Sequence, residues 1–181
     1  MATINNCTNG TILQYKRVEV NGAGATAATI PVDTSIPQIT EGYEIISLNF
    51  TPFSATSSLL LQFFIGISEG STAGGNTPFD VVIALFRDTS TDAKQSRIIP
   101  ARIMAIGGIP LPVPGLSDTV PSGSTAQTTF SVRIGKDSTA AAKYVTVWNA
   151  QGASTGTGIG PELFGGTLIG SLSVTETQTN Q

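Results

Sequence analysis

The chain contains no histidine. Ser-His-Asp and Cys-His nucleophilic sites are therefore excluded, as are most zinc sites and the facial-triad iron sites, because all of them depend on imidazole. A single cysteine, Cys7, is present. It permits neither an internal disulfide nor a four-cysteine metal site, and it reads as a passive thiol near the chain terminus. Charge is scarce: Asp, Glu, Lys and Arg make up 12% of 181 residues, about half the usual share of a soluble domain. The nine basic residues are scattered, with Lys16-Arg17 their longest run. Nucleic acid and anionic membranes both call for concentrated positive charge, so neither is expected as a partner. No apolar run approaches the roughly 20 residues of a membrane-spanning helix. Met1–Asn6 lacks the basic and apolar regions of a signal peptide, which predicts folding in a cytoplasm. No stretch combines a 3.6-residue apolar period with helix caps.

What is present belongs to a folded β protein. Hydrophobic residues make up 40% of the chain and Gly numbers 20, which is not the profile of disorder. The length allows one domain with a real core. Low charge with abundant Ser, Thr, Gly and Ala admits two readings: a Thr/Ser-coated β protein, or a surface largely buried against other subunits. The longest strand-like apolar run is Val81–Phe86, bounded by Asp80 and Arg87. Its β-branched and aromatic content favours a strand. Being apolar on both alternating faces, it must be covered on both, by the subunit's core on one side and by a loop or another subunit on the other.

Around this run the pattern predicts about eight to ten short strands. Tyr43–Phe50 and Thr128–Gly135 alternate cleanly, with Ile46, Leu48 and Phe50, and Phe130, Val132 and Ile134, on one face each. Further strands are expected over 12–20, 26–32, 59–67, 95–106 (at an edge, because of Pro100), 144–149 and 168–176. The segment 69–78 reads as a loop. Pro110, Pro112, Pro114 and Pro121 predict an irregular 107–121 lying across a neighbouring surface or crossing between sheets. The expected organisation is an N-terminal arm and first strand over 1–25, a β-sandwich or barrel over 26–176, and a polar tail over 177–181.

Candidate chemistry is thin. Asp88 and Asp92 flank a turn, and such a pair could bind Ca²⁺ or serve glycoside hydrolysis; turn formation is the commoner use. Gly156-Thr157-Gly158-Ile159-Gly160 imitates a phosphate loop, but Pro161 follows where a helix N-terminus is needed. Tyr144, Trp148 and Phe164 could stack on a sugar or simply pack. No cofactor, metal site or catalytic residue is expected, and the chain reads as non-enzymatic.

A series of segments resembles a β-sandwich family of tailed-bacteriophage virion proteins. These are Asp33-Thr34-Ser35-Ile36-Pro37-Gln38 leading to Glu41-Gly42, Thr51–Ser57, Ala84-Leu85-Phe86-Arg87-Asp88, Thr129–Gly135, Phe164–Leu168 and Ser171–Glu176. Their order covers about residues 30–176. The resemblance implies an antiparallel jelly-roll-like sandwich, commonly trimeric and without enzymatic activity, found both as capsid decoration or head-fibre proteins and in tail fibres or tail tips. The Pro-rich segment is longer than the family leads one to expect, and only about 30 residues precede the domain.

The expected role is a capsid decoration protein on the outer surface of the head, assembled in the host cytoplasm and bound as a homotrimer to the major capsid protein. The alternative is a tail module that contacts tail proteins and a host surface glycan. Val82, Ala84 and Phe86, or the opposite-parity set, are expected at the three-fold axis. Leu13, Tyr15, Lys16 and Arg17 of the arm, with Pro110, Pro112 and Pro114, are the candidates for reaching the shell.

Overall fold

The computed structural model describes residues 10–20, 24–71, 80–100, 111–113, 115–137, 143–148 and 170–179. Among these there is no helix, and so none long and apolar enough to cross a membrane. The strands are β1 (Gly10–Glu19), β2 (Gly24–Thr26), β3 (Tyr43–Phe50), β4 (Ser58–Ser71), β5 (Asp80–Arg87), β6 (Gln95–Pro100), β7 (Leu111–Val113), β8 (Ser117–Pro121), β9 (Thr128–Lys136), β10 (Lys143–Trp148) and β11 (Ser171–Thr179).

Their pairing is antiparallel throughout and builds two sheets. One has the order β3-β9-β5-β6. The other is organised on the long β4: β1 and β11 lie beside its first half, with β8 on the opposite side, while β10, β2 and β7 extend its second half. The quartet β1-β11-β4-β8 over β3-β9-β5-β6, with first and last strands paired, is a jelly-roll sandwich. Because every step is antiparallel, the short connections 51–57, 88–94 and 122–127 share one end with both ends of the chain. The connections 20–42, 72–79, 101–116 and 137–170 leave from the other end.

The core follows from two-residue periodicity. Leu59, Leu61, Phe63, Ile65 and Ile67 of β4 face Ile46, Leu48 and Phe50 of β3, Val81, Ile83 and Leu85 of β5, and Phe130, Val132 and Ile134 of β9. Each fully buried aliphatic or aromatic side chain stabilises the fold by roughly 1.5–3 kcal/mol.

β5 is buried on its second face as well. Val82, Ala84 and Phe86 are 3%, 0% and 0% exposed and pack with Ile30, Ile39 and Ala93 of the same chain. The connection between β2 and β3 supplies this cover and is fastened at both ends. Ile30 N donates to Lys136 O, and Lys136 N to Ala28 O, at 3.0 Å each; at the far end Ile39 N donates to Thr91 O and Ala93 N to Pro37 O, at 2.8 and 2.9 Å. The Arg133 guanidinium adds bonds to Glu41 O and Gly42 O at 2.7 and 3.1 Å. Ile30 descends onto two glycines. A Cβ on Gly135 would lie 2.7 Å from Ile30 N, and one on Gly42, whose φ is +66°, 2.7 Å from Ile30 Cδ1. The expectation that Val82, Ala84 and Phe86 face a three-fold axis is thereby corrected: a loop of the subunit itself covers them and leaves no apolar surface there for a second copy.

Other differences have local causes. The strand expected over 26–32 is not formed; β2 ends at Thr26, and Thr29 makes only an isolated parallel bridge to Lys136. The Pro-rich segment is not wholly irregular, because β7 and β8 pair with β4, their prolines lying at or near strand ends. β4 runs on through Ser71, into the predicted loop, and β11 continues to Thr179, into the predicted tail.

Replacing Ile30 with Ala should lower unfolding stability by roughly 2–4 kcal/mol in urea titration. The same change at Ile36, which is exposed on the same connection, should stay within about 0.5 kcal/mol. Equal effects at the two positions would show that the cover contributes no packing energy.

Candidate functional site

The densest group of polar side chains closes the short-loop end, and Glu176 is its centre. On β11 the inward positions run Leu172, Val174, Glu176, so the alternation that buries two aliphatics also buries a carboxylate. Glu176 Oε2 accepts from Gln14 Nε2 at 2.6 Å and from Phe53 N at 3.0 Å; Oε1 accepts from Ser54 N at 3.0 Å and Ser57 Oγ at 2.5 Å. Burial pushes the carboxyl pKa up, but the combined bonds from Ser57, Gln14, Phe53 and Ser54 outweigh it and hold the group below the usual 4.5. The carboxylate is therefore charged and saturated with donors, the reverse of a general acid waiting for substrate.

The network continues across the end. Ser122 Oγ donates to Ser54 O at 2.7 Å, and Ser122 N to Ser57 O at 3.0 Å. Arg87 reaches Pro121 O and Ser122 O at 2.8 and 2.5 Å while its guanidinium lies 5.7 Å from the Phe130 ring centre. Asp88 adopts φ +52°, which Asp tolerates better than most residues, and accepts from Thr128 Oγ1 and Thr129 N at about 2.8 Å. Asp92 accepts from Gln38 Nε2 at 3.0 Å. Asp88 and Asp92 thus tie strands and loops together, and no group of three or more metal-ligating side chains occurs among the described residues.

The two long edges are closed in a related way. On β1, Gln14 Nε2 and Lys16 Nζ cross the sandwich to Thr51 O and Asn49 O, at 2.8 Å each. On β6, Gln95 Nε2 and Arg97 Nη1 cross to Ser117 O and Gly115 O, at 3.1 and 3.5 Å. Each edge strand turns a Gln-X-cation pair inward, which also discourages edge-to-edge pairing with another chain.

Of the candidate contact residues, Leu13 is half-buried at a bulge where β1 slips register against β11. Tyr15 and Arg17 are exposed on the outer face, Arg17 beside Glu19 at 3.4 Å, whereas Lys16 bends to Asn49 O. The structure thus separates a set the sequence grouped together. Pro112 lies in β7 opposite Gly66. Pro110 and Pro114 fall outside the described residues, as do Cys7, Gly156–Gly160 and Phe164, and the side chains of Tyr144 and Trp148 are not described. Glu176 and Gln14 were missed by sequence reading. The available signal was the inward parity of Glu176 behind Leu172 and Val174.

No family model matches the chain, and no curated protein matches it. Among solved structures, it aligns with the VP2 subviral particle of infectious bursal disease virus at a TM-score of 0.37 and 12% identity, covering 93% of this chain and 37% of that one. T=1 particles derived from the same virus give 0.38 and 11%, with 90% and 35% covered. The T13 viral particle gives 0.36 and 10%, with 92% and 39% covered. The chain therefore spans little more than a third of these proteins. At TM-scores under 0.5 the likeness decides nothing about its fold or role; the jelly-roll assignment rests on strand order and register.

Glu176→Gln should cost about 1–3 kcal/mol, because an amide NH₂ must then face donors that an oxygen now accepts. With the folded pKa lowered, the carboxylate's contribution is fully present above pH 4.5 and is lost as pH falls through the folded value. Thermal melts from pH 7 to pH 2 should show the wild type losing its advantage over the variant below pH 4.5; a constant gap across that range would contradict the assignment.

Proposed function

We propose that the chain is a structural component of a virus particle, and more finely a capsid decoration protein of a tailed bacteriophage. It binds the assembled head as a trimer and holds neighbouring copies of the major capsid protein together. The observation that carries this reading is the jelly-roll strand order, an architecture recurrent in viral capsid and lectin domains. A fold does not fix a function, and a second feature supports the same direction. The acidic groups of the short-loop end are engaged in holding the sandwich together, while Phe53 is 70% exposed and Ile12 65% exposed at that end. Phe53 is backed by its own amide's bond to Glu176, so an apolar side chain is held out on a fixed backbone, as suits contact with another protein.

Residues 10–19 are an edge strand bonded along their length to β11, so the shell-reaching role cannot extend over residues 1–25 as a detachable arm. Tyr15 and Arg17 remain available on β1, and Phe53 joins them. Stabilisation follows mass action: a ligand that binds only the assembled shell contributes RT ln(1 + [L]/Kd), about 2.7 kcal/mol per site at a hundredfold excess over Kd.

Heads assembled without the protein should bind it saturably in co-sedimentation and then resist heating better than bare heads. Phe53→Ser should weaken binding at least tenfold with an unchanged circular dichroism spectrum. Immunogold labelling confined to the tail would replace this reading with the tail module, and absence of the protein from purified virions would end both.

A further inference from the structure

The two outer faces of the sandwich differ in a way that identifies a contact between copies of this chain. The outer face of β3-β9-β5-β6 is already covered by the chain's own 28–42 segment over β5. The outer face of β1-β11-β4-β8 has no such cover: Phe64 is 42% exposed and Tyr15 57% exposed on it, with Leu60 half-buried between them. Cross-strand register places Tyr15, Thr175, Leu60 and Thr119 in one row, and Arg17, Ser173, Gln62 and Ser117 in the next.

Three properties of this face suit a second copy of the same surface. First, the outward positions of β11, of β4 from Ser58 to Phe64, and of β8 carry no charged side chain; Asp118 and Glu176 have inward parity. Around a closed symmetry axis like residues approach like, so any charge there would meet its own copy. Second, the only charges on the face are Arg17 and Glu19, on the rim strand, of opposite sign and 3.4 Å apart. Third, the interleaved hydroxyls are partly satisfied from within. Ser173 Oγ donates to Gln62 O and Thr177 Oγ1 to Ser58 O, at 3.4 Å each, which reduces the cost of removing them from water. Four strands about 4.8 Å apart and eight residues long present roughly 500 Å² of flat sheet. Side-chain relief brings this toward the roughly 800 Å² that each partner buries in a standard interface.

We propose that copies of this chain associate through the outer face of β1-β11-β4-β8, with Leu60, Gln62 and Phe64 at the contact. This rests on the trimer reading above and moves its interface from β5 to β4. The test is sedimentation velocity of the full chain at micromolar concentration. The wild type is expected at three times the 18.6 kDa of one chain. Gln62→Lys, an exposed site that brings like charges together across the axis, should yield monomer with an unchanged circular dichroism spectrum and thermal midpoint. Phe64→Ser, which adds no charge, should raise the dissociation constant at least tenfold. Ile98→Lys, on the other sheet, should leave the trimer intact. Trimeric wild type with both β4 variants still fully trimeric overturns this interface and leaves the trimer reading standing; a monomeric wild type overturns both.

Discussion

A strand that is apolar on both faces must be buried twice, and much of this architecture follows from that demand on β5. The facing sheet supplies one cover through Leu59–Ile67. The other must come from outside the two-layer sandwich, and the chain provides it by sending the β2–β3 connection along the outer face of β5 before β3 begins. A connection so placed exposes backbone donors and acceptors to an apolar surface unless they are paired. The bonds to Lys136 O at one end and Thr91 O at the other meet that need. Glycine at positions 42 and 135 follows, because Ile30 reaches Val82 and Phe86 only where no Cβ stands in its way. The cover also breaks the equivalence of the two sheets and leaves a single outer face open.

The polar side chains answer a different constraint. A sandwich has two long edges and two ends at which the layers could part. Gln14 and Lys16 cross one edge, Gln95 and Arg97 cross the other, and Glu176 gathers β1, β11 and the 51–57 connection at the short-loop end. Net gains from such bonds are small, about 1 kcal/mol each, whereas leaving one partner buried and unpaired costs more. Their effect is therefore to make parted layers and shifted registers unfavourable more than to deepen the native minimum. The carboxylates of this end are consumed by the same task, which is why a cluster that resembles chemistry in composition lacks a group poised to exchange a proton.

How much was legible depended on whether one period governed the residues. β3 and β9 alternate strictly, and their bounds were readable to within a residue. β5 was readable as a strand buried on both faces, but a continuous apolar run cannot say what covers it; that depends on Ile30 and Ile39, whose own segment carries no period. The run 26–32 resembles a strand locally and fails because its neighbour is the face of β5, not a free sheet edge. β7 and β8 were masked by proline, which excludes helix but not short strands paired through other residues. Glu176 was hidden for another reason. Its partners lie between 119 and 162 residues away in sequence, and only the parity set by Leu172 and Val174 hinted that it turned inward.

Low charge links the fold to its proposed setting. A protein that stays soluble as separate monomers has reason to spread charge over every face. Here the charged side chains of the described sandwich lie on rims, in loops and at crossings between layers, while the central strands of the open face carry Ser, Thr, Gln, Leu and Phe. Such a distribution is a liability for a monomer and an advantage for a closed ring, in which each copy meets an identical, uncharged surface. The ring in turn multiplies whatever each subunit contributes to a shell. Three linked contacts bind far more tightly than one because the second and third engage at high effective concentration. Phe53, held out at the short-loop end by the amide bond to Glu176, would therefore need only modest affinity per subunit, provided the ring forms first.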